Sequence, residues 1–221
     1  MRMILKSVMS GALIFLATIT VSGRADAGVC ATALMNVYGA AGFTCTIGNM
    51  TLSDFSWTPT GGAPADTTET VVPKGLGFEF DGLLLSGSGA AEDAVLDYLV
   101  TTSDGTNTIT KAILFADGSQ TGTGIDGVDE VLCAGGMLGA CPAGGNHSLH
   151  VTGNGVADQI AFAGVNEVDV QKDIFAAGGT SGSAELSSVT NVVDQPVPEP
   201  ASLAVLAIGL LGLGAVRRVR K

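Results

Sequence analysis

Between residues 28 and 190 the chain has no long amphipathic helix, which limits its folds more than any other feature. Apolar residues recur instead with a period of two in short runs, separated by Gly, Asn, Asp and Pro. Successive side chains of a strand point to opposite faces, so this alternation marks half-buried strands. Phe43 to Ile47 and Met50 to Trp57 read as a hairpin turning at Gly48-Asn49. A loop is expected over Thr58 to Asp66, then strands at Thr68 to Val72 and Gly77 to Leu85, the latter broken at Asp81-Gly82. The clearest unit runs from Val95 to Phe115. There Leu96, Tyr98 and Val100 alternate, Ser103-Asp104-Gly105-Thr106 supplies a turn, and Ile109, Ile113 and Phe115 alternate on the return strand. Ala94, Val95, Tyr98 and Leu99 also fit helical spacing, so a short helix over Glu92 to Leu99 is the alternative there. Further runs lie at Val128 to Cys133, Ser148 to Val151, Gln159 to Phe162, Asn166 to Phe175 and Ala184 to Val193. About nine short strands predict an all-β fold, a single sandwich or jelly-roll-like domain over residues 28–190.

Both ends of the chain read as something other than fold. Arg2 and Lys6 precede an apolar segment from Val8 to Val21, and Ala25-Asp26-Ala27 fits a signal-peptidase site. Residues 1–27 are therefore expected to be a signal peptide cut between Ala27 and Gly28, with the Sec export machinery as the partner. Asn191 to Val197 reads as a linker. Pro198-Glu199-Pro200 follows, then an apolar run from Ala201 to Val216, then Arg217, Arg218, Arg220 and Lys221. The two prolines cannot donate backbone hydrogen bonds and hold the stretch extended. As a helix, the run at 201–216 reaches about 24 Å, short of the roughly 30 Å hydrocarbon core. It is a marginal span whose basic flank stays cytoplasmic.

This order of Pro-Glu-Pro, apolar helix and basic cluster resembles the PEP-CTERM sorting signal of Gram-negative bacteria, over roughly residues 197–221. The resemblance implies recognition by an exosortase, a membrane protease that processes such tails. The expected itinerary is export, an inner-membrane stage during processing, and then the cell envelope or the outside. Family members often accompany exopolysaccharide or biofilm matrix, so exopolysaccharide is the implied partner of the domain. The stretches Cys45 to Trp57 and Val168 to Phe175 also resemble segments of β-rich ectodomains that carry this signal.

Charge and cysteine usage sharpen the picture. Only Lys74, Lys111 and Lys172 lie between Gly28 and Val197, against 19 acidic residues, which leaves −16. Such a charge excludes nucleic-acid binding through a basic patch. Cys30, Cys45, Cys133 and Cys141 in an exported chain read as two disulfides. Three connectivities exist, and the two local pairs are favoured by short separation and intervening turn residues. A four-cysteine zinc site is the alternative, although neither pair has the C-x-x-C knuckle.

Chemistry-bearing constellations are few. Gly122 to Glu130 partly matches a calcium nonapeptide, which makes Asp126, Asp129 and Glu130 candidate calcium ligands; a solvated acidic turn is the competing reading. His147 and His150 are three apart, so on a strand they face opposite ways and cannot chelate one metal. Neither G-x-S-x-G nor H-E-x-x-H occurs. A non-enzymatic exported envelope or matrix protein, with no cofactor, is the expectation. A carbohydrate-binding module using Trp57 is the first alternative and a secreted enzyme the second.

Overall fold

The computed structural model describes residues 28–102, 107–153, 155 and 157–194. Thirteen strands and one short helix follow one another: β1 (Gly28–Val29), β2 (Ala33–Leu34), α1 (Met35–Tyr38), β3 (Thr44–Ile47), β4 (Met50–Thr60), β5 (Thr70–Lys74), β6 (Gly77–Ser86), β7 (Ala91–Thr102), β8 (Ile109–Thr121), β9 (Ile125–Ala134), β10 (Asn146–Thr152), β11 (Ala157–Val165), β12 (Glu167–Ala177) and β13 (Ser183–Asp194). They form two sheets. One has seven strands in the order β1-β3-β4-β7-β12-β9-β10, and the other six in the order β11-β8-β13-β6-β5-β2. Among the described residues, only the pairing of β1 with β3 is parallel. The all-β sandwich expected from the sequence is present, with more strands than the nine expected. Two-residue strands such as β1 and β2 are too short to leave a periodic signal.

Alternation fixes the inward faces. On β7, Ala94, Leu96, Tyr98 and Val100 are buried; on β12, Val168, Val170, Ile174 and Ala176 are buried. The helical alternative at Glu92 to Leu99 is excluded, since the whole segment pairs with β4 and β12. Inter-strand pairing departs from expectation. β7 and β8 do not form a hairpin, because β7 belongs to the seven-stranded sheet and β8 to the six-stranded one. The chain crosses the sandwich between them, and residues 103–106, where the sequence suggests a turn, lie outside the described residues. Both strands bury one face in the shared core, and a period-two pattern reports a buried face without naming the neighbouring strand. The phase of β8 matches expectation at Ile109, which is buried, and differs beyond it. Ala112, Leu114 and Ala116 point inward, whereas Phe115 is exposed.

Three other expectations are corrected. β6 runs unbroken through Asp81-Gly82, and a register shift in its pairing with β13 absorbs the irregularity. β4 extends to Thr60, into the expected loop. β13 reaches Asp194, so residues 191–194 are strand rather than linker, and Asn191 is buried. The Gly48-Asn49 hairpin forms as expected, with Gly48 at φ 61°. Among the described residues no helix is long and apolar enough to cross a membrane, and the helix expected at 201–216 lies outside them.

A bulge in β4 decides where its aromatic residues go. Met50 and Leu52 point inward, the register shifts between Ser53 and Ser56, and Phe55 then points inward too. Asp54 makes this change at φ 57°, which L-residues other than Gly rarely adopt. Phe55 thereby joins an aromatic cluster. Its ring stacks on Tyr98 at 5.5 Å and meets Phe78 edge-on at 5.7 Å. Phe78 in turn lies 4.8 Å from Tyr98. Burial of these rings and the flanking aliphatic residues is the main force holding the two sheets together.

Candidate functional site

Four polar side chains meet in the apolar core, one from each of four strands. Tyr98 on β7, Glu130 on β9, Lys172 on β12 and Asn191 on β13 are each no more than 1% exposed. Local sequence puts them there. Lys172 holds the inward position between Val170 and Ile174, and Glu130 the inward position between Val128 and Leu132. Glu130 and Lys172 are register partners across β9 and β12. The Lys172 Nζ hydrogen-bonds Glu130 Oε2. Asn191 Nδ2 donates to the same oxygen at 2.9 Å, and the Tyr98 hydroxyl donates to Asn191 Oδ1 at 2.7 Å. The Lys172 Nζ also sits 5.8 Å from the centre of the Tyr98 ring.

Electrostatics here follow from dryness. Burial strips the Lys172 ammonium of water and pushes its pKa well below the ordinary lysine range. The Tyr98 hydroxyl is pushed well above its ordinary value for the same reason. From sequence alone, Glu130 stands out only as a calcium candidate, Lys172 only as one of three lysines, and Asn191 not at all. A signal did exist: Val168, Val170, Lys172, Ile174 and Ala176 form one unbroken inward row with a lysine at its centre. A lysine in such a row needs a buried partner.

The calcium reading is overturned. Asp126 and Glu130 lie four residues apart on the inner face of β9, about 13 Å at strand rise, and Asp129 points to the opposite face. Their partners differ as well. Asp126 Oδ1 accepts from Gln120 Nε2 at 2.5 Å and from the Gly153 amide at 2.8 Å. Asp129 lies 2.6 Å from His150 Nδ1 on the outer face. No group of three metal-ligating side chains converges among the described residues. The two histidines do face opposite ways on β10: His147 stacks on Phe162 at 5.4 Å, while His150 meets Asp129.

The cysteines pair locally, Cys30 with Cys45 and Cys133 with Cys141, which removes the zinc alternative. Gly28 opens β1. Ala27, Pro198, Glu199, Pro200, Arg217, Arg218, Arg220 and Lys221 lie outside the described residues.

Two further places bear on binding. Trp57 is half-buried, and its indole Nε1 donates to the Pro64 carbonyl at 3.0 Å. With Glu69, Phe80, Leu84, Ile174 and Leu186 it lines a cavity of about 10 Å³, room for roughly one water. These contacts give Trp57 a packing role. Glu69 is buried at this cavity, and burial together with nearby Asp81 raises its pKa to about 7. A shallow surface cleft of about 390 Å³ lies beside Phe115, Asp117 and Ser188. Its Lys74 and Glu79 already pair with one another, and Thr190 Oγ1 donates to Glu79 at 3.1 Å.

A two-sheet, disulfide-bearing β-sandwich is thus the class of this domain. The chain also carries a PEP-CTERM protein-sorting motif: residues 196–221 match the family model of that name. No curated protein matches the sequence. Among solved structures it is similar to TmCBM61 in complex with beta-1,4-galactotriose, at 11% identity and a TM-score of 0.37, over 62% of this chain and 88% of that one. A second is the Glycosylation Associate Protein (Gap123) complex from Streptococcus agalactiae, at 12% identity and a TM-score of 0.28, over 62% of this chain and 25% of that one. A third is the enzymatically active domain of bacteriophage CBA120 tailspike protein 4, at 13% identity and a TM-score of 0.24, over 67% of this chain and 20% of that one.

Proposed function

We propose that the chain is an exported, non-enzymatic envelope or matrix protein, sorted and processed by an exosortase through residues 198–221. The observation that carries this reading is the sorting-motif match over residues 196–221. Chemistry supports it part by part. Pro198 and Pro200 lack backbone N–H donors and disfavour helix at the residues before them, which suits a segment that a protease engages. The apolar run at 201–216 holds the tail at the membrane while Arg217, Arg218, Arg220 and Lys221 stay on the cytoplasmic side. The Sec machinery delivers the chain, and cleavage between Ala27 and Gly28 frees the other end. Local disulfides suit an oxidising destination.

The test uses two epitope tags, one after Lys221 and one in the exposed turn at Gly61-Gly62. In cells with an exosortase the C-terminal tag is lost from the exported form while the internal tag persists. In cells lacking the enzyme both remain on one membrane-associated species. Equal persistence of the C-terminal tag in both strains overturns the proposal.

A further inference from the structure

We propose that Lys172 and Asn191 become joined by an intramolecular amide bond, formed inside the folded core with Glu130 relaying the proton. The four buried side chains supply every group such a condensation needs. The Lys172 Nζ is a primary amine held in a dry site, where the uncharged nucleophilic form is favoured. Asn191 offers a carboxamide carbon. Glu130 Oε2 touches both nitrogens, the attacking one on Lys172 and the departing one on Asn191. Tyr98 donates at 2.7 Å to Asn191 Oδ1, where negative charge develops during attack.

The balance closes without a cofactor or oxidant. Nζ attacks the Asn191 side-chain carbonyl carbon, forming the C–N bond, and an amine proton passes to Glu130 Oε2. The tetrahedral oxyanion is stabilised by the Tyr98 hydroxyl. Collapse breaks the carbon–Nδ2 bond as Glu130 returns the proton to that nitrogen, and ammonia leaves. The product amide retains polar partners on both sides, with its N–H facing Glu130 and its carbonyl facing Tyr98. The fold holds the reactants in fixed proximity, which substitutes for a high concentration of amine.

Position gives the bond a purpose. Lys172 lies in the seven-stranded sheet and Asn191 in the six-stranded one, so the amide ties the two layers together. The disulfides do not: Cys45 is on β3 and Cys133 on β9, both in the seven-stranded sheet, and each pairs with a cysteine close in sequence.

Mass spectrometry of the exported full chain, reduced and denatured, tests the proposal. The expected intact mass lies one ammonia below that of the processed sequence, and proteolysis yields a branched peptide linking Lys172 to Asn191. Lys172→Arg, Asn191→Ala and Glu130→Ala each restore the full mass. Tyr98→Phe keeps the ring in place and slows appearance of the lighter species about a hundredfold, the cost of removing one oxyanion donor. Wild-type protein at full mass overturns the proposal whatever the variants do. Loss of ammonia without a branched peptide also overturns it, because Asn191 has then cyclised on its own backbone.

Discussion

Two glutamates are buried in this sandwich, and they live in opposite circumstances. Glu130 faces an amine from the adjacent strand and an amide from the opposing sheet. Glu69 faces apolar side chains, the small cavity beside Trp57, and another acid, Asp81. The first carboxyl belongs to a built polar network; the second is tolerated at the edge of a hydrophobic one. Burial alone therefore does not set the cost of a charged residue in a core. The partners that strand register supplies decide it.

The contrast can be broken from the Glu130 side first. Glu130→Ala leaves Lys172 buried without its partner and should destabilise the fold by about 3–5 kcal/mol, read by denaturant unfolding at pH 7. A loss below 1 kcal/mol would mean that the network contributes little. On the other side, Glu69→Gln should stabilise the protein by about 2–3 kcal/mol at pH 8 and leave it unchanged at pH 4. The sign follows from the raised pKa of Glu69, about 7 in the fold against 4.5 ordinarily. The folded state holds that proton more tightly, so the contribution is complete below about pH 4.5 and is lost as pH rises through 7. Melting curves between pH 4 and 8 should show this slope in the wild type and not in the variant. Asp126 stands between the two glutamates, buried yet held by Gln120 and the Gly153 amide. Gln120→Ala should cost about 1–2 kcal/mol in the same unfolding assay, less than Glu130→Ala because the Gly153 amide remains.

Local periodicity made much of this legible. The inward row of β7 can be read residue by residue from alternation, and that of β12 as far as Val170; the Gly48-Asn49 hairpin follows from its turn residues, and the two local disulfides are favoured by short separation among three possible connectivities. Non-local pairing could not be read this way. The Ser103-Asp104-Gly105-Thr106 turn suggested a hairpin between β7 and β8, yet those strands sit in different layers. Nothing in a period of two distinguishes a strand that folds back beside its predecessor from one that folds back over it. β8 shows a second limit. Phe115 is the largest residue of this stretch, yet it is exposed while Ala112, Leu114 and Ala116 face the core. Side-chain size is a weaker guide to the buried face than fit against the opposing sheet.

The polar network escaped for a related reason. Its members come from residues 98, 130, 172 and 191, and only the tertiary fold brings them together. Lys172 was the readable clue. Glu130 instead drew notice through a calcium-like spacing that the strand geometry of β9 pulls apart. The tail behaves oppositely, since its message is carried by consecutive residues and needs no partner from elsewhere in the chain.

β13 is bonded to β8 along one edge and to β6 along the other. Tension applied beyond Asp194 would load these two ladders in shear, with many hydrogen bonds sharing the strain at once. A strand at the rim of the sheet, pulled the same way, would have a single ladder to share the load. The end of the domain that leads toward the sorting tail is thus its mechanically anchored end, suited to a protein pulled from one side.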